Sequence, residues 1–190
     1  MCRMSALWTS SEVEAAVGGQ ASAAFAVSGV AFDSREIGPG DLFIALKGEV
    51  TDGHRFVDAA FGAGAAGAVV AEPVGHPHVR VADTMDALND LGRASRARAV
   101  GATVIGVTGS VGKTSTKEAL FAALDRDAPG HAHRSVKSYN NHTGVPLSLA
   151  RMPRDTRYGI FEMGMNHAGE LAALTRLVRP HIAIVTAIAS

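Results

Sequence analysis

The sequence is poor in cysteine, in aromatic residues, in net charge and in long apolar runs. Cys2 is the one cysteine among 190 residues, so the chain forms no internal disulfide, which agrees with a reducing compartment such as the cytoplasm. Because 18 Lys and Arg balance 18 Asp and Glu, the basic excess typical of proteins that bind nucleic acid or anionic membranes is missing. No stretch approaches about 18 apolar residues and no apolar segment follows Arg3, so the sequence predicts neither a membrane-spanning helix nor a signal peptide.

The chain does contain enough apolar sequence for a folded core. Hydrophobic residues make up 47% and charged residues 19%, which excludes the composition of a disordered protein. The 21 glycines and only 5% aromatic residues are typical of α/β chains whose turns approach ligands closely. Residues 1–100 carry 8 Lys and Arg against 12 Asp and Glu, whereas residues 101–190 carry 10 against 6. This split suits a polyanionic ligand in the second half, although ordinary surface variation explains it equally well.

The first hundred residues predict a small α/β domain. Ser10 or Ser11 is a candidate cap for a helix over 10–17 that Gly18 ends, and Thr84 for a helix that reaches Ala99. Apolar runs between turn residues predict strands over 26–32, 42–46, 68–71 and 78–81, with a helix over 55–61. The cluster of Arg93, Arg96 and Arg98 is interpreted as a solvated helix end.

The second half alternates strands with helices, which predicts right-handed crossovers and a parallel sheet. The expected strands cover 103–108, 134–137, 158–163 and 181–188, and the expected helices cover 113–124, 144–151 and 170–178. Ligands of such sheets bind at the carboxyl ends of the strands. We place the domain boundary near Val100-Gly101, which divides the chain into domains over 1–100 and 101–190.

The strongest local signal is a glycine-rich turn between an apolar strand and a helix. It reads GVTGSVGKT over 106–114. Such a turn lets backbone N–H groups surround phosphate oxygens, while Lys113 reaches the terminal phosphates and the Thr114 hydroxyl binds Mg²⁺. The strict G-x-x-x-x-G-K-[ST] pattern expects glycine where this chain has Val107, so an ordinary glycine-rich turn is the alternative.

Read together, motifs along nearly the whole chain resemble the Mur ligase family of ATP-dependent amide-forming enzymes in bacterial cell-wall synthesis. The motifs are Asp33-Ser34-Arg35, PGDLFIALKG over 39–48, Asp52-Gly53-His54, TGSVGKT over 108–114, NNHTGVP over 140–146, EMGMNHAGE over 162–170 and RPHIAIVT over 179–186. The 162–170 stretch with the phosphate loop is most similar to the branch that adds D-alanyl-D-alanine to UDP-MurNAc-tripeptide; the diamino-acid-adding branch is the alternative.

The resemblance implies roles for particular residues. Lys113 and Glu162 are implied as catalytic, Thr114 and Glu162 as Mg²⁺ ligands, and residues 109–115 with Asn141 as ATP contacts. The uridine nucleotide is implied to bind Ser34, Arg35, Lys47, Gly48, Asp52, Gly53 and His54. The alternatives are a capping or salt-bridging carboxylate for Glu162, a turn residue for Asn141, and loop-stabilising roles for the N-terminal residues. His142 and His167 are as well explained as surface histidines.

The resemblance also implies partners and an extent. ATP and Mg²⁺ are the expected cofactors, UDP-MurNAc-tripeptide and D-alanyl-D-alanine the expected partners, with a monomer as the full-length form, no nucleic acid and no membrane insertion, in the bacterial cytoplasm. Against the family pattern, we expect the chain to hold the N-terminal domain and part of the central ATP-binding domain, without the C-terminal domain. The alternatives are a non-catalytic module that binds a UDP-sugar or nucleotide, and an unrelated P-loop NTPase or kinase.

Overall fold

The computed structural model describes residues 6–48, 51–165 and 169–188 of the chain. Two compact units, Met1–Leu91 and Gly92–Ser190, divide it. The division falls inside a helix, whereas the sequence boundary near Val100-Gly101 falls after that helix and stays a prediction about the domains. No helix within the described ranges is long and apolar enough to cross a membrane.

The first unit is built on a five-stranded sheet whose order is β2-β7-β6-β5-β4. Its strands are parallel apart from β2, and its central strands are buried apolar runs on both faces, the pattern that parallel sheets require. The elements are β1 (Trp8–Thr9), α1 (Ser10–Val17), β2 (Gln20–Ala21), β3 (Ala26–Val27), β4 (Gly29–Ala31), a 3₁₀ turn (Ser34–Glu36), β5 (Asp41–Ile44), a 3₁₀ turn (Gly53–Phe56), α2 (Val57–Gly62), β6 (Gly67–Val70) and β7 (His78–Arg80), followed by α3 (Thr84–Arg98), whose residues from Gly92 onward belong to the second unit.

The strand expected over 26–32 is two strands in the structure. β3 pairs with β1 in a separate two-stranded sheet, and β4 pairs with β5 in the main sheet. The break falls at Ser28, whose N–H donates to the carbonyl of Gly40 at 2.9 Å. The single-strand prediction is therefore wrong, because hydrophobic alternation cannot show that a strand changes partners.

The caps of the predicted helices also differ from expectation. Thr9, not Ser10 or Ser11, caps α1: its Oγ1 accepts from the Glu12 N–H at 3.4 Å, and the Glu12 carboxylate accepts from the Thr9 N–H at 2.8 Å, a reciprocal capping box. At α3, the Asp83 carboxylate accepts from the N–H groups of Met85 and Asp86, at 2.7 and 2.9 Å, whereas Thr84 is buried. Each cap precedes the expected residue by one or two positions.

The second unit is a four-stranded parallel sheet in the order β11-β8-β10-β9. The parallel architecture predicted from strand and helix alternation is confirmed. Its elements are β8 (Thr103–Thr108), α4 (Lys113–Asp127), β9 (Ala132–Arg134), α5 (Gly144–Ala150), β10 (Tyr158–Glu162), α6 (Glu170–Val178) and β11 (Ile182–Val185).

Helices cover both faces of this sheet. Val104 and Phe161 pack with α5 and α6, whereas Ile105, Val107 and Ile160 pack against the apolar side of α4. Alternate residues of one strand therefore face opposite helical layers, as a buried parallel strand requires. Because β8 and β10 are paired in parallel, their carboxyl ends lie side by side, and Glu162 is paired with Val107.

The interpretation of the arginine cluster as a solvated helix end is wrong for Arg96. Arg96 is 8% exposed and donates from Nε to the carbonyl of Val178 at 2.8 Å and from Nη2 to that of Arg179 at 2.9 Å. These carbonyls end α6 and have no partner within the helix, so the guanidinium caps that helix. Arg98 also has a protein partner, because its guanidinium donates to the carbonyl of Met152, after α5, at 3.3 Å.

Candidate functional site

The phosphate loop leaves β8 and enters α4 with a backbone that only glycine readily adopts. Gly109 has φ of +133° and Gly112 has φ of +89°. A Cβ on Gly109 would overlap the hydroxyl of Thr186. Val107, at the position where the strict motif expects glycine, is a fully buried strand residue. The loop therefore begins after Thr108, and the departure from the motif falls in the core of the sheet.

The segment after β11 holds the phosphate loop in shape. The Ser110 N–H donates to the carbonyl of Ala187 at 2.8 Å. The Thr186 hydroxyl donates to the carbonyl of Val111 at 2.7 Å and lies 3.1 Å from that of Thr108. These bonds join the loop to the segment after β11, 75 or more residues away in sequence. The conformation of the loop is therefore set by that segment as well as by its own glycines.

Lys113 and Thr114 stand at the first turn of α4, where the backbone N–H groups lack partners within the helix. The Lys113 ammonium donates to the carbonyl of Gly109 at 2.6 Å, which places it against the loop. The Thr114 hydroxyl donates to Glu162 Oε2 at 2.9 Å. A hydroxyl that donates its proton to a carboxylate still presents oxygen lone pairs to a cation.

Glu162 ends β10 and is only 1% exposed. Its two oxygens are both engaged: Oε2 accepts from Thr114 and Oε1 accepts from the Asn140 amide at 2.8 Å. The backbone N–H of Glu162 donates to the Ser135 hydroxyl at 3.1 Å. As the last residue of β10, Glu162 lies at the carboxyl edge of the sheet, and its carboxylate reaches the first turn of α4 beside the phosphate loop.

These groups line one cavity of about 320 Å³. Its walls are polar and combine the loop, the first turn of α4, the segment before α5 and the end of β10: Ser110, Gly112, Lys113, Thr114, Ser115, Ser138, Asn140 and Glu162. The hydroxyl of Thr114 and the carboxylate of Glu162 are hard oxygen donors that suit Mg²⁺, which typically binds one or two carboxylates and takes further oxygens from a nucleotide. The donor set therefore fits the cation that the sequence predicted.

Sequence reasoning missed three residues of this site. Asn140 bonds Glu162, Ser138 lines the cavity, and Lys117 lies fully buried behind the carboxylate. Asn141, the predicted residue, instead turns its Oδ1 to the N–H groups of Thr143 and Gly144, at 3.3 and 2.9 Å. The pair Asn140-Asn141 was a usable signal, but spacing alone does not tell which amide faces the strand ends. A nucleotide contact for Asn141 stays a prediction.

The first unit holds a second cavity, of about 550 Å³. Its walls are largely apolar, with a polar rim: Phe32, Asp33, Ser34, Arg35, Leu46, Gly48, Thr51, Gly53 and Phe56. Four predicted residues, Ser34, Arg35, Gly48 and Gly53, thus lie together. Lys47, Asp52 and His54 are adjacent in sequence but do not belong to the described lining.

Asp33 organises the loop that carries Arg35. Its carboxylate accepts from the Arg35 N–H at 3.0 Å and from Nε and Nη2 of the same guanidinium at 2.9 and 2.6 Å. The Arg35 side chain is 87% exposed, so this pair is solvated and contributes little to stability. The geometry leaves Arg35 at the cavity rim, where solvent and a ligand reach it.

Asp52 and His54 hold their own loop. His54 Nδ1 lies 2.6 Å from the Asp52 carboxylate, and Nε2 accepts from the Ala71 N–H at 2.8 Å, an assignment that puts the ring proton on Nδ1. The N–H and the ring of His54 together lower the pKa of Asp52. Both ring nitrogens thereby have partners within the unit, and the uridine-nucleotide contact implied for Asp52 and His54 stays a prediction.

Part of one predicted motif lies outside the described residues, namely Asn166, His167 and Ala168. The motif residues before and after them are described, with Glu162 at the site and Glu170 at the start of α6.

Comparison with known families gives matches along most of the chain. A family model described as "Mur ligase family, catalytic domain" matches residues 26–105, and one described as "Mur ligase middle domain" matches residues 107–190. The chain belongs to the Mur ligase family.

Individual relatives point to one branch of this Mur ligase family. The chain is 42% identical over 165 residues to UDP-N-acetylmuramoyl-tripeptide--D-alanyl-D-alanine ligase of Bacillus subtilis, covering 84% of this chain and 35% of that protein. It is 38% identical over 183 residues to the protein of the same name from Rickettsia prowazekii, covering 94% of this chain and 40% of that protein. The chain thus spans well under half the length of these curated relatives.

Solved structures give the same answer for the fold. A crystal structure of MurF from Acinetobacter baumannii superposes with a TM-score of 0.82 at 35% identity, over 94% of this chain and 40% of that one. A MurF ligase from Thermotoga maritima in complex with ADP superposes with a TM-score of 0.66 at 29% identity, over 86% of this chain and 38% of that one. The predicted fold class, α/β with parallel sheets similar to the N-terminal and middle domains of Mur ligases, is confirmed.

Proposed function

We propose that this chain carries the substrate-binding and ATP-binding parts of a ligase that adds D-alanyl-D-alanine to UDP-MurNAc-tripeptide. The observation that carries the proposal is the meeting of Lys113, Thr114 and Glu162 in one polar cavity at the start of α4. The names of the relatives support the substrate, since the B. subtilis and R. prowazekii proteins are ligases of this kind. The T. maritima MurF ligase was crystallised in complex with ADP, which supports the nucleotide.

The proposed reaction has two steps. The terminal phosphoryl group of ATP passes to the carboxylate of the tripeptide, leaving ADP and an acyl phosphate. The amine of D-alanyl-D-alanine then attacks the acyl carbon, loses a proton and expels inorganic phosphate. Both steps move charge onto phosphate oxygens, so cations and N–H groups fixed in advance lower the barrier.

The residues of the phosphate loop supply such groups. The first turn of α4 lines the cavity, and N–H groups and a positive dipole end at a helix start suit the phosphates of ATP. Lys113, on the same turn, moves from the loop carbonyls to the terminal phosphates. Thr114 and Glu162 would hold Mg²⁺, which neutralises phosphate charge when bound.

The cavity of the first unit is our proposed site for the uridine nucleotide. Phe32, Leu46 and Phe56 offer flat or apolar surface to a base, and Ser34 and Arg35 offer a hydroxyl and a guanidinium to ribose or pyrophosphate oxygens. Lys47, Asp52 and His54 act in this proposal by shaping the loop. We place the reaction in the bacterial cytoplasm, where UDP-linked precursors and ATP are available, and expect the full-length ligase to be a monomer.

Calorimetry of the chain with two ligands tests the proposal. We expect heat of binding with UDP-MurNAc-tripeptide and with Mg·ATP, each in the absence of the other. A preference for UDP-MurNAc-dipeptide over the tripeptide would move the chain to the diamino-acid-adding branch. Turnover of ATP that ignores every muramyl nucleotide, with no binding of either precursor, would contradict the proposal and favour an unrelated NTPase.

A further inference from the structure

Lys117 is a fully buried lysine one helical turn after Lys113 on α4. Neither the phosphate-loop motif nor the proposed reaction uses it. Because an ammonium group loses its hydration when buried, it persists in a folded protein only where oxygens surround it. Its surroundings therefore indicate why the sequence keeps a cation at this position.

Three oxygens surround the Lys117 ammonium. It donates to the carbonyl of Lys137 at 2.6 Å, lies 3.3 Å from Glu118 Oε1 and lies 3.8 Å from Glu162 Oε2. The last of these is the same oxygen that accepts from the Thr114 hydroxyl. Lys117 is therefore a buried neighbour of the carboxylate proposed to bind Mg²⁺.

The Lys137 carbonyl links Lys117 to another wall of the cavity. Lys137 has φ of +54°, a left-handed conformation that is uncommon for a residue with a side chain. It immediately precedes Ser138 and stands three residues before Asn140, both of which line the cavity. A strong bond to this carbonyl holds the segment in its turn and so holds the Asn140 amide against Glu162 Oε1.

We propose that Lys117 is a positioning residue for the metal-nucleotide site. It fixes the Glu162 carboxylate from one side and the Ser138–Asn140 segment from the other, so that Thr114 and Glu162 present their oxygens to Mg²⁺ in one geometry. This inference rests on the nucleotide site proposed above. It assigns Lys117 an effect on the metal dependence of nucleotide binding, which a residue that only stabilised α4 would not have.

The test is the gain in ADP affinity that Mg²⁺ produces, measured by calorimetry on the 190-residue chain. In Lys117→Met, which keeps the length of the side chain without its charge, we expect the Mg²⁺ concentration for half-maximal gain to rise about tenfold, while ADP affinity without Mg²⁺ changes by less than about threefold. Arg126→Met is the matched control, because it removes an exposed charge from the last turn of the same helix; we expect the wild-type Mg²⁺ response.

A second variant keeps the inference falsifiable if Lys117→Met folds poorly. Lys117→Arg keeps the positive charge but moves the donor groups relative to Glu162 Oε2 and the Lys137 carbonyl, so it should also raise the Mg²⁺ concentration for half-maximal gain, and a wild-type response in a folded Lys117→Arg protein overturns the inference. A Lys117→Met protein that folds and shows the wild-type Mg²⁺ response overturns the inference and leaves the nucleotide site standing. Absence of any Mg²⁺-dependent ADP binding by the wild type overturns the proposed function as well.

Discussion

The two cavities of this protein hold their polar residues in different ways. At the phosphate loop, Glu162 and Lys117 are almost completely buried and bonded to partners from other elements. In the first unit, Arg35 lies in solvent beside Asp33, and apolar side chains make the walls. Buried charges need partners, and those partners fix the side chains of the second unit in place. In the first unit, the hydrogen bonds of Asp33 and Asp52 stay within their own loops, beside a solvent-exposed cavity rim.

The largest effect should come from the backbone of the fixed site. In Gly109→Ala, the new Cβ meets the Thr186 hydroxyl at a φ of +133°, so the loop must move away from the strand that holds it. We expect about 2–4 kcal/mol of lost stability and loss of measurable Mg·ATP binding. Urea unfolding and calorimetry measure the two effects.

A glycine elsewhere provides the control for Gly109. A Cβ on Gly101 meets no atom within 4 Å, so Gly101→Ala should leave both quantities near wild type. Equal losses in the two variants would mean that the loop geometry is not what Gly109 provides.

The second-largest effect concerns the cap that Arg96 forms at the carboxyl end of α6. Arg96→Met removes the guanidinium from the carbonyls of Val178 and Arg179 and leaves them without that partner. We expect about 2–3 kcal/mol of lost stability, because hydrogen bonds to a buried charged group are among the stronger ones. Arg176→Met, at an exposed position of α6, should change the unfolding free energy by about 0.5 kcal/mol or less. Similar values for both would contradict a capping role.

His133 should make the second unit sensitive to acid. Burial lowers the pKa of His133 to about 4, with the charges of Arg151 and Arg134 adding to the decrease and a hydrogen bond to the Ser148 carbonyl opposing it. The folded state therefore binds this proton less readily than the unfolded state, and the stability contribution present above about pH 6.5 is lost as the pH falls toward 4. Between pH 7.5 and 4.5 we expect a loss of about 2 kcal/mol.

Comparison with His133→Gln isolates this contribution, since the amide keeps a donor and does not titrate in that range. The difference in unfolding free energy between the two proteins should shrink or reverse as the pH falls from 7.5 to 4.5. A constant difference would show that His133 titrates normally in the folded protein.

The smallest expected effect is a difference between two adjacent asparagines, one of which should affect stability and the other Mg·ATP binding. Asn141→Ala should cost about 1 kcal/mol of stability, because Asn141 Oδ1 accepts N–H bonds at the start of α5. Asn140→Ala should instead weaken Mg·ATP binding, because its amide holds Glu162. Thermal unfolding and calorimetry on both variants check the assignment. A greater loss of Mg·ATP affinity in Asn141→Ala would reverse it and support the nucleotide contact expected from the sequence.

Much of the fold was predictable because local patterns and tertiary packing agree. The strand over 103–108 and the helix over 170–178 have the predicted bounds, since apolar runs, glycines and caps all act at the same residues there. The strand over 134–137 is instead Ala132–Arg134, and the chain beyond it adopts a left-handed conformation at Lys137. Partner changes such as that at Ser28 leave no local signal.

The residues of the site also fall into those that the sequence indicates and those that only the packing reveals. The sequence pointed to Lys113 and Thr114 through the glycine-rich turn and to Glu162 through its resemblance to the family motif, and the structure brings the three together in one cavity. Lys117 and Arg96 could not, since an isolated lysine or arginine on a helix is ordinarily solvated. Only the packing of elements distant in sequence shows that their charges are buried and bonded.

The central claim is that the phosphate loop binds Mg·ATP and the first-unit cavity binds the uridine nucleotide. The most direct measurement is a pair of dissociation constants, for Mg·ATP and for UDP-MurNAc-tripeptide, in wild type, Lys113→Ala and Arg35→Ala. We predict that Lys113→Ala weakens Mg·ATP about 30- to 100-fold and leaves the uridine nucleotide unchanged, while Arg35→Ala weakens only the uridine nucleotide, by about tenfold. Unchanged Mg·ATP affinity in Lys113→Ala, or equal losses of both ligands in either variant, would contradict the account.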